Sequence, residues 1–180
     1  MTAVKTATAV RYADSIPSPV GVLLAVVDER GTLVELRFAS EKGTARDRAE
    51  LEREYARRGL EVEWSPAKLR AVARELERYF AGRSKRFELA VAPEGSEFQR
   101  RVWRELAKIP FGTTISYGEL ARRVGSPGAA RAVGRANGAN PIPIVLPCHR
   151  VIGASGALTG YGGGMERKEK LLALEGCLLL

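Results

Sequence analysis

The residues best suited to chemistry lie in one stretch, Asn140-Pro141-Ile142-Pro143-Ile144-Val145-Leu146-Pro147-Cys148-His149-Arg150-Val151. Its prolines and apolar run make a stiff, buried segment that delivers a cysteine next to the only histidine of the chain. A thiol becomes a useful nucleophile when a base or a positive charge favours the thiolate, and His149 and Arg150 are residues of those types. Adjacency alone does not make a hydrogen bond, because neighbouring side chains often diverge. A bare Cys-His pair therefore says little, and the whole stretch says much more. The second cysteine, Cys177, reads as a small buried hydrophobe. Two cysteines and one histidine exclude a disulfide scaffold and a four-cysteine zinc site. No metal and no cofactor is expected.

The segment just upstream has an unusual composition. Ser126-Pro127 is expected to cap a helix running to about Gly138, and Ala129, Ala130, Ala132, Gly134, Ala136 and Gly138 leave that helix almost without bulk. Arg131 and Arg135 lie four apart and share a face. The plain reading is a tightly packed helix with two solvated arginines. The sharper reading is a helix whose backbone approaches a groove while its arginines meet phosphates or displace a base. Charge favours the second. The chain carries 29 Lys and Arg against 21 Asp and Glu, with a pI near 9.9. Most of the surplus lies in residues 91–180, which hold 12 basic and 7 acidic residues. Such an excess suggests a polyanion partner, although many basic proteins only have a solvated surface.

Other elements must position these residues. Val20 to Val27 and Thr32 to Phe38 read as strands joined by a turn at Asp28-Glu29-Arg30-Gly31. In the second, Thr32, Val34, Leu36 and Phe38 are expected on one face. The first ten residues read as a loose start. Residues 44–58 read as a charged helix, and Ser65-Pro66 opens another with Leu69, Val72, Ala73, Leu76, Tyr79 and Phe80 on its apolar face. Arg86 to Val91 could return as a strand, and Ala92-Pro93-Glu94-Gly95 is the candidate linker. Beyond it, Ser96 with Gln99 and Ser116 with Glu119 form capping boxes before two short helices. The second of these, the Gly125 turn and the Arg131 helix make a helix-turn-helix pattern. The longest apolar run, Val20 to Val27, is interrupted by Gly21 and falls far short of the roughly 20 residues of a membrane span. With no signal-like start, a cytoplasmic location is expected.

These residues resemble the O6-alkylguanine-DNA alkyltransferases, also called methylated-DNA–protein-cysteine methyltransferases. The resemblance is carried by Asn140-Pro141-Ile142-Pro143 and Pro147-Cys148-His149-Arg150-Val151. It continues through Gly156-Ala157, Tyr161-Gly162-Gly163-Gly164, Lys168 and Leu171 to Gly176, and upstream through Phe111-Gly112, Tyr117 and Ala129 to Gly134. It is dense over residues 96–176, whereas residues 1–92 match only in general plan. The implied fold is an α/β N-terminal domain (residues 1–92, a small ribonuclease H-like sheet plus helices). Beside it stands a mostly α-helical C-terminal domain (residues 93–180) with a winged-helix-like helix-turn-helix.

The resemblance implies a DNA repair protein that moves the alkyl group of O6-alkylguanine irreversibly onto its own cysteine, once per molecule. Cys148 is then the nucleophile, His149 a base acting through a water, and Glu175 the residue that orients and charge-stabilises the histidine. Tyr117 would donate toward guanine N3, and backbone N–H groups near Tyr161-Gly162 would serve O6. Asn140 would brace the turn between the recognition helix and the active-site loop. The base must leave the duplex. Arg131 would fill its place, Ala130 and Ala132 would lie against the backbone, and Arg135 would contact phosphate. Val151, Tyr161 and Gly162 would line the pocket. The implied partner is double-stranded DNA containing O6-alkylguanine, with no membrane, and the protein is expected to be a monomer that could bind DNA cooperatively.

Some features depart from relatives. The chain has no histidine and no cysteine before Cys148, so the zinc site of larger members is not expected. Glycine stands at 162 where some relatives use serine. Cys148 argues against the non-catalytic branch, which carries tryptophan there. Two other classes stay open: a Cys-His-Glu hydrolase, which would turn over and would not need the arginine-bearing helix, and a non-catalytic helix-turn-helix DNA-binding protein, which leaves Cys148 and Glu175 without a purpose. Plainer roles also exist for single residues: Glu175 as an ordinary helix residue, Tyr117 packing on Leu120 and Ala121, and Glu166 with Lys170 as a surface pair.

Overall fold

The structure, a computed structural model, describes residues 9–40 and 44–177. Four strands open the chain: β1 (Val10–Ile16), β2 (Leu23–Val27), β3 (Leu33–Phe38) and, after helix α1 (Thr44–Arg57), β4 (Glu61–Trp64). They form one sheet in the order β3-β2-β1-β4. The first three pair antiparallel, and β4 lies parallel to β1. Helix α2 (Pro66–Phe80) follows. The two faces of the sheet are covered differently. Leu51 and Tyr55 of α1 pack on Ala13, Val26 and Val34. Leu69, Val72, Leu76 and Tyr79 of α2 pack on the other face, in the larger core that also takes in the second half of the molecule.

Several expectations are corrected here. Residues 1–8 of the loose start lie outside the described residues, but Val10 already opens β1, a central strand. Its Asp14-Ser15 pair hid it from an apolar pattern. The β2 strand begins only at Leu23, because Gly21 holds a φ of +104°. In β3 the shared face fails. A register shift opposite Val26 and Val27 breaks the alternation, so Leu33 and Leu36 face the larger core while Val34 faces α1. Arg86 to Val91 forms no strand. It touches β3 only where Leu33 N–H donates to the Ala90 carbonyl (2.9 Å) and Val91 bridges Leu33. The Asp28 turn closes as expected, with the Asp28 carboxylate accepting from the N–H groups of Arg30 and Thr32.

The second half is built from α3 (Glu97–Leu106), β5 (Ile115–Ser116), α4 (Tyr117–Arg123), α5 (Ala130–Gly138), a single 3₁₀ turn (Cys148–Arg150), β6 (Val151–Ile152) and α6 (Met165–Leu174). Ser96 and Gln99 complete their capping box. Ser116 accepts from Glu119 N–H, but the Glu119 carboxylate is taken by Arg122 and Arg123, so that box is half made. Helix α5 starts at Ala130, not at Ser126-Pro127, which form a turn before it. Trp103 of α3 is buried, and its indole N–H donates to the Ala136 carbonyl of α5 (2.8 Å). That bond fixes α5 to the core by its inner side. No helix among the described residues is long and apolar enough to cross a membrane.

Candidate active site

Asn140 organises the segment that carries the thiol. Its side-chain amide donates to the Leu146 carbonyl (2.7 Å), and its side-chain oxygen accepts from Ile142 N–H (3.0 Å). Inside the turn it spans, buried Ile144 holds a φ of +73°. A β-branched residue there is strained by roughly 1–3 kcal/mol. The strain is offset by burying Ile142, Ile144 and Leu146 in the core. The turn ends at the Cys148–Arg150 3₁₀ turn, which faces all three side chains into the interior.

Cys148 is 4% exposed. Burial pushes its thiol pKa up, against the Asn140 amide, the Lys168 ammonium and the Tyr161 hydroxyl, which favour the thiolate. The thiol is thus held protonated until a base acts. His149 is fully buried, and its Nε2 lies 2.8 Å from Glu175 Oε1. Burial lowers the imidazole pKa, Glu175 works the other way, and the positive Arg150 and Lys168 add to the lowering. The imidazole is therefore neutral near pH 7, with Nε2–H donating to the carboxylate. The other nitrogen, Nδ1, is buried with no hydrogen-bond partner. It is the atom free to accept a proton.

Glu175 is the hub. Its two oxygens accept from His149 Nε2, Tyr79 O–H (2.6 Å), Arg150 Nε (2.8 Å), Arg150 Nη2 (2.9 Å) and Gly112 N–H (3.4 Å). Burial alone would raise its pKa. The hydrogen bonds from His149, Arg150 and Tyr79 outweigh that and bring it down to about 2. Arg150 also donates to the Ile109 carbonyl (2.5 Å), and its guanidinium stands over the Phe111 ring. Lys168 is buried and holds the Val151 and Thr159 carbonyls (2.7 and 3.1 Å).

These shifts set an acid limit on stability. Glu175 contributes fully above its ordinary value of 4.5, and that contribution is lost as pH falls through its folded value near 2. His149, buried neutral, adds a second loss as pH falls below its ordinary 6.5. Thermal unfolding followed by circular dichroism should show a midpoint that falls steadily from about pH 7 to about pH 3. A midpoint flat over that range would contradict the assignment.

Cys148 lies in a cavity walled by Asn137, Gly138, Asn140, Pro141 and Pro143 on one side and the 160–163 loop on the other. The third wall is strand β3, through Leu36, Arg37 and Phe38. Leu36 N–H donates to the Pro141 carbonyl (2.8 Å), which closes this wall. The loop is pinned by Arg167, whose guanidinium donates to the Val20 and Gly163 carbonyls and stacks over Phe38. Gly163 must be glycine, since a Cβ would stand 2.5 Å from Phe38 and 2.7 Å from Tyr161.

The cavity opens onto a shallow groove that shares Asn137, Gly138 and residues 160–162 with it and adds Tyr117, Arg131, Gly134 and Arg135. Arg131 and Arg135 are exposed on the outer face of α5. Ala130 and Ala132 flank them, half-buried. Tyr117 lies over Gly134, where an added Cβ would stand 3.7 Å from the ring, and its hydroxyl reaches the Thr159 carbonyl (3.4 Å). It therefore stands at the groove, beside the thiol cavity. Gly162 narrows the passage, its Cβ position lying 3.5 Å from the Gly138 carbonyl.

Cys148, Asn140, Tyr161 and Gly162 line the cavity, and His149, next to Cys148 in the same turn, pairs with Glu175 in the interior behind it. Val151 does not line it. Its side chain is fully buried in the core, and β6 pairs with Ile115 there. Residue reading missed Tyr79 and Asn137 as parts of this site, and Arg150, read as a positive charge beside the thiol, grips Glu175 instead. Asn137 is buried, donates to the Cys148 carbonyl (3.4 Å) and keeps a partnerless side-chain oxygen. A polar residue on the inner face of a small-residue helix was the available signal.

Known proteins resemble the chain along nearly its whole length. A family model described as "6-O-methylguanine DNA methyltransferase, DNA binding domain" matches residues 97–177, and one described as its ribonuclease-like domain matches residues 11–93. A methylated-DNA–protein-cysteine methyltransferase of Methanosarcina barkeri is 45% identical over 166 residues, 91% of this chain and 96% of its own. One of Mycolicibacterium paratuberculosis is 61% identical over 111 residues, 62% of this chain and 67% of its own. A crystal structure of the Mycobacterium tuberculosis O6-methylguanine methyltransferase superposes with a TM-score of 0.77 at 42% identity, covering 93% of each chain. The same organism's protein in complex with DNA gives 0.76 at 42% identity, covering 92% of this chain and 93% of its own.

Proposed function

The chain belongs to the 6-O-methylguanine DNA methyltransferase family, and from that premise we propose a full account of its reaction. It is a DNA repair protein that transfers the alkyl group of O6-alkylguanine in duplex DNA to its own Cys148. The observation that carries the residue assignment is a buried thiol beside a His149–Glu175 pair, in a cavity that opens onto an arginine-bearing helix.

His149 Nδ1 takes the Cys148 proton through a bridging water, and Glu175 holds the imidazole in the tautomer that leaves Nδ1 free. The thiolate sulfur attacks the alkyl carbon, and the carbon–O6 bond breaks. Its electron pair stays on O6, where N–H groups of the Tyr161-Gly162 loop meet the developing charge. Tyr117 donates toward N3. The product is a thioether, which water does not readily cleave, so each molecule acts once. Cys148 has no use in a non-catalytic DNA-binding protein, and that alternative is not favoured.

The target base is extruded through the minor groove. Arg131 fills the gap it leaves, Ala130 and Ala132 rest against the sugar-phosphate backbone, and Arg135 pairs with phosphate. Tyr161 and Gly162 hold the flipped base. We read the architecture as a ribonuclease H-like domain over residues 1–92 and a winged-helix-like domain over residues 93–180. The sheet order β3-β2-β1-β4 and the α4–α5 pair with its small β5-β6 sheet support that reading. A monomer suits a surface on which Leu174 is the one exposed large apolar side chain among the described residues. A cytoplasmic location suits two unpaired cysteines.

The test is a titration of a duplex carrying one O6-methylguanine. Repaired lesions should rise with protein and stop at one per chain. Repair continuing past one per chain would replace this reading with a turnover enzyme.

A further inference from the structure

We infer that Tyr79 is a positioning residue for the transfer, through which the sheet-bearing half of the molecule takes part in activating the thiol. The inference rests on the reading above and deepens it. Tyr79 belongs to α2, 96 residues before the carboxylate it serves. By sequence it is only one apolar position on a helical face. In the fold its ring is 1% exposed and packs against Phe80, Phe87 and Phe111, with centroids 5.2, 5.0 and 6.1 Å away. Its hydroxyl ends 2.6 Å from Glu175 Oε1, the same oxygen that accepts from His149.

Sharing that oxygen is the physical point. A carboxylate oxygen has limited negative charge to offer, and each strong donor draws on it. Tyr79 therefore weakens the pull of Glu175 on His149 and keeps the imidazole less basic. Burial first, and then the neighbouring carboxylate, hold the phenol protonated throughout the working range, so it remains a donor. The other charged or titratable groups facing this pair are Arg150, which grips both Glu175 oxygens, Lys168 near His149, and the Cys177 thiol near Glu175. Tyr161 faces both Cys148 and Tyr79 itself, and burial keeps its phenol protonated as well. None of them comes from the sheet-bearing half, so Tyr79 is its one direct hold on the relay among the described residues.

Two effects follow from removing the hydroxyl alone. Glu175 loses one of its anchors, so the imidazole is held less firmly. Its charge is then concentrated on His149, which becomes easier to protonate. The transfer needs a neutral His149, so the rate falls as pH drops through the histidine pKa, and that acid limb should move upward.

The experiment measures single-turnover transfer at saturating methylated duplex against pH, for the wild type and Tyr79→Phe. DNA affinity and melting temperature are measured alongside. The acid limb should rise by about half to one pH unit, and the plateau rate should fall about three- to tenfold, with DNA affinity unchanged. In a Glu175→Gln background the same substitution should no longer move the limb. Incorporating 3-fluorotyrosine at position 79 keeps the ring and sharpens the donor. It should move the limb downward, and it tests the inference even where the phenylalanine variant does not fold.

His149 is the only histidine, so ¹⁵N-histidine labelling reads its titration directly, without the reaction. Opposite displacements of that titration by the two variants support the inference. A melting temperature that drops while limb and titration stay at wild-type values would overturn it and leave Tyr79 as packing. Failure of the wild type to transfer at all would strike the proposed function instead, while the ¹⁵N titration still decides this inference.

Discussion

Replacing Cys148 by alanine is expected to abolish alkyl transfer, below any detectable rate, while duplex affinity stays within a few-fold of wild type. The thiol is the atom that forms the new bond, and no neighbouring group can take its place. Cys177, the other thiol, lies past the far end of α6 and does not line the cavity. The substitution deletes one sulfur from a pocket that opens to the outside. It breaks no strong hydrogen bond, because the backbone of residue 148 makes its close bonds and the thiol gives up only weak sulfur contacts with Asn140 and Tyr161. Stability should therefore change by about 1 kcal/mol or less. In the proposed binding mode the basic face of α5 carries affinity, so its dependence on salt should be the same in the variant. Gel-shift and transfer assays on the same preparation check both halves. Loss of binding together with transfer would mean that the cysteine is structural.

Glu175→Ala should have the largest combined effect on folding and rate. The carboxylate neutralises Arg150, which is 6% exposed and bound through two of its nitrogens. Removing it leaves a buried guanidinium with only the Ile109 carbonyl, and breaking a buried pair in this way costs about 3–5 kcal/mol. It also frees the His149 ring and strands the Tyr79 hydroxyl. Transfer should fall by about a hundredfold or more, since both the tautomer and the orientation of the base are lost. Glu175→Gln keeps the volume and one acceptor and should be the milder variant in both respects. Denaturant unfolding and single-turnover rates separate the two contributions. An alanine variant with wild-type stability would contradict the hub geometry.

How much of this was legible in the residues depends on the length scale of each feature. The capped helices were readable because their signals are local. Ser96 with Gln99 and Ser65-Pro66 announce helix starts within four residues. The central strand β1 was not readable, because it is held by β2 on one side and β4 on the other and needs little apolar periodicity of its own. The register shift in β3 is set by its partner strand, so Val34 could not be assigned to a face from alternation. At the site, Cys148 and His149 were plain, being adjacent in a distinctive stretch. Glu175 was reached only through the family resemblance, since 26 residues separate it from His149. Tyr79 and the β3 wall of the cavity were invisible, because their placement depends on how the two halves pack. Val151 shows the reverse limit: the resemblance put it in the pocket, but its side chain is fully buried in the core and does not line the cavity.

The most direct test of the account is the mass of the intact protein after incubation with duplex DNA carrying one O6-methylguanine, followed by peptide mapping. The account predicts a gain of one methyl group per chain, never more, carried by the peptide that contains Cys148 and absent from the peptide that contains Cys177. Repair with no gain in protein mass, or a methyl group found on any other residue, would contradict it.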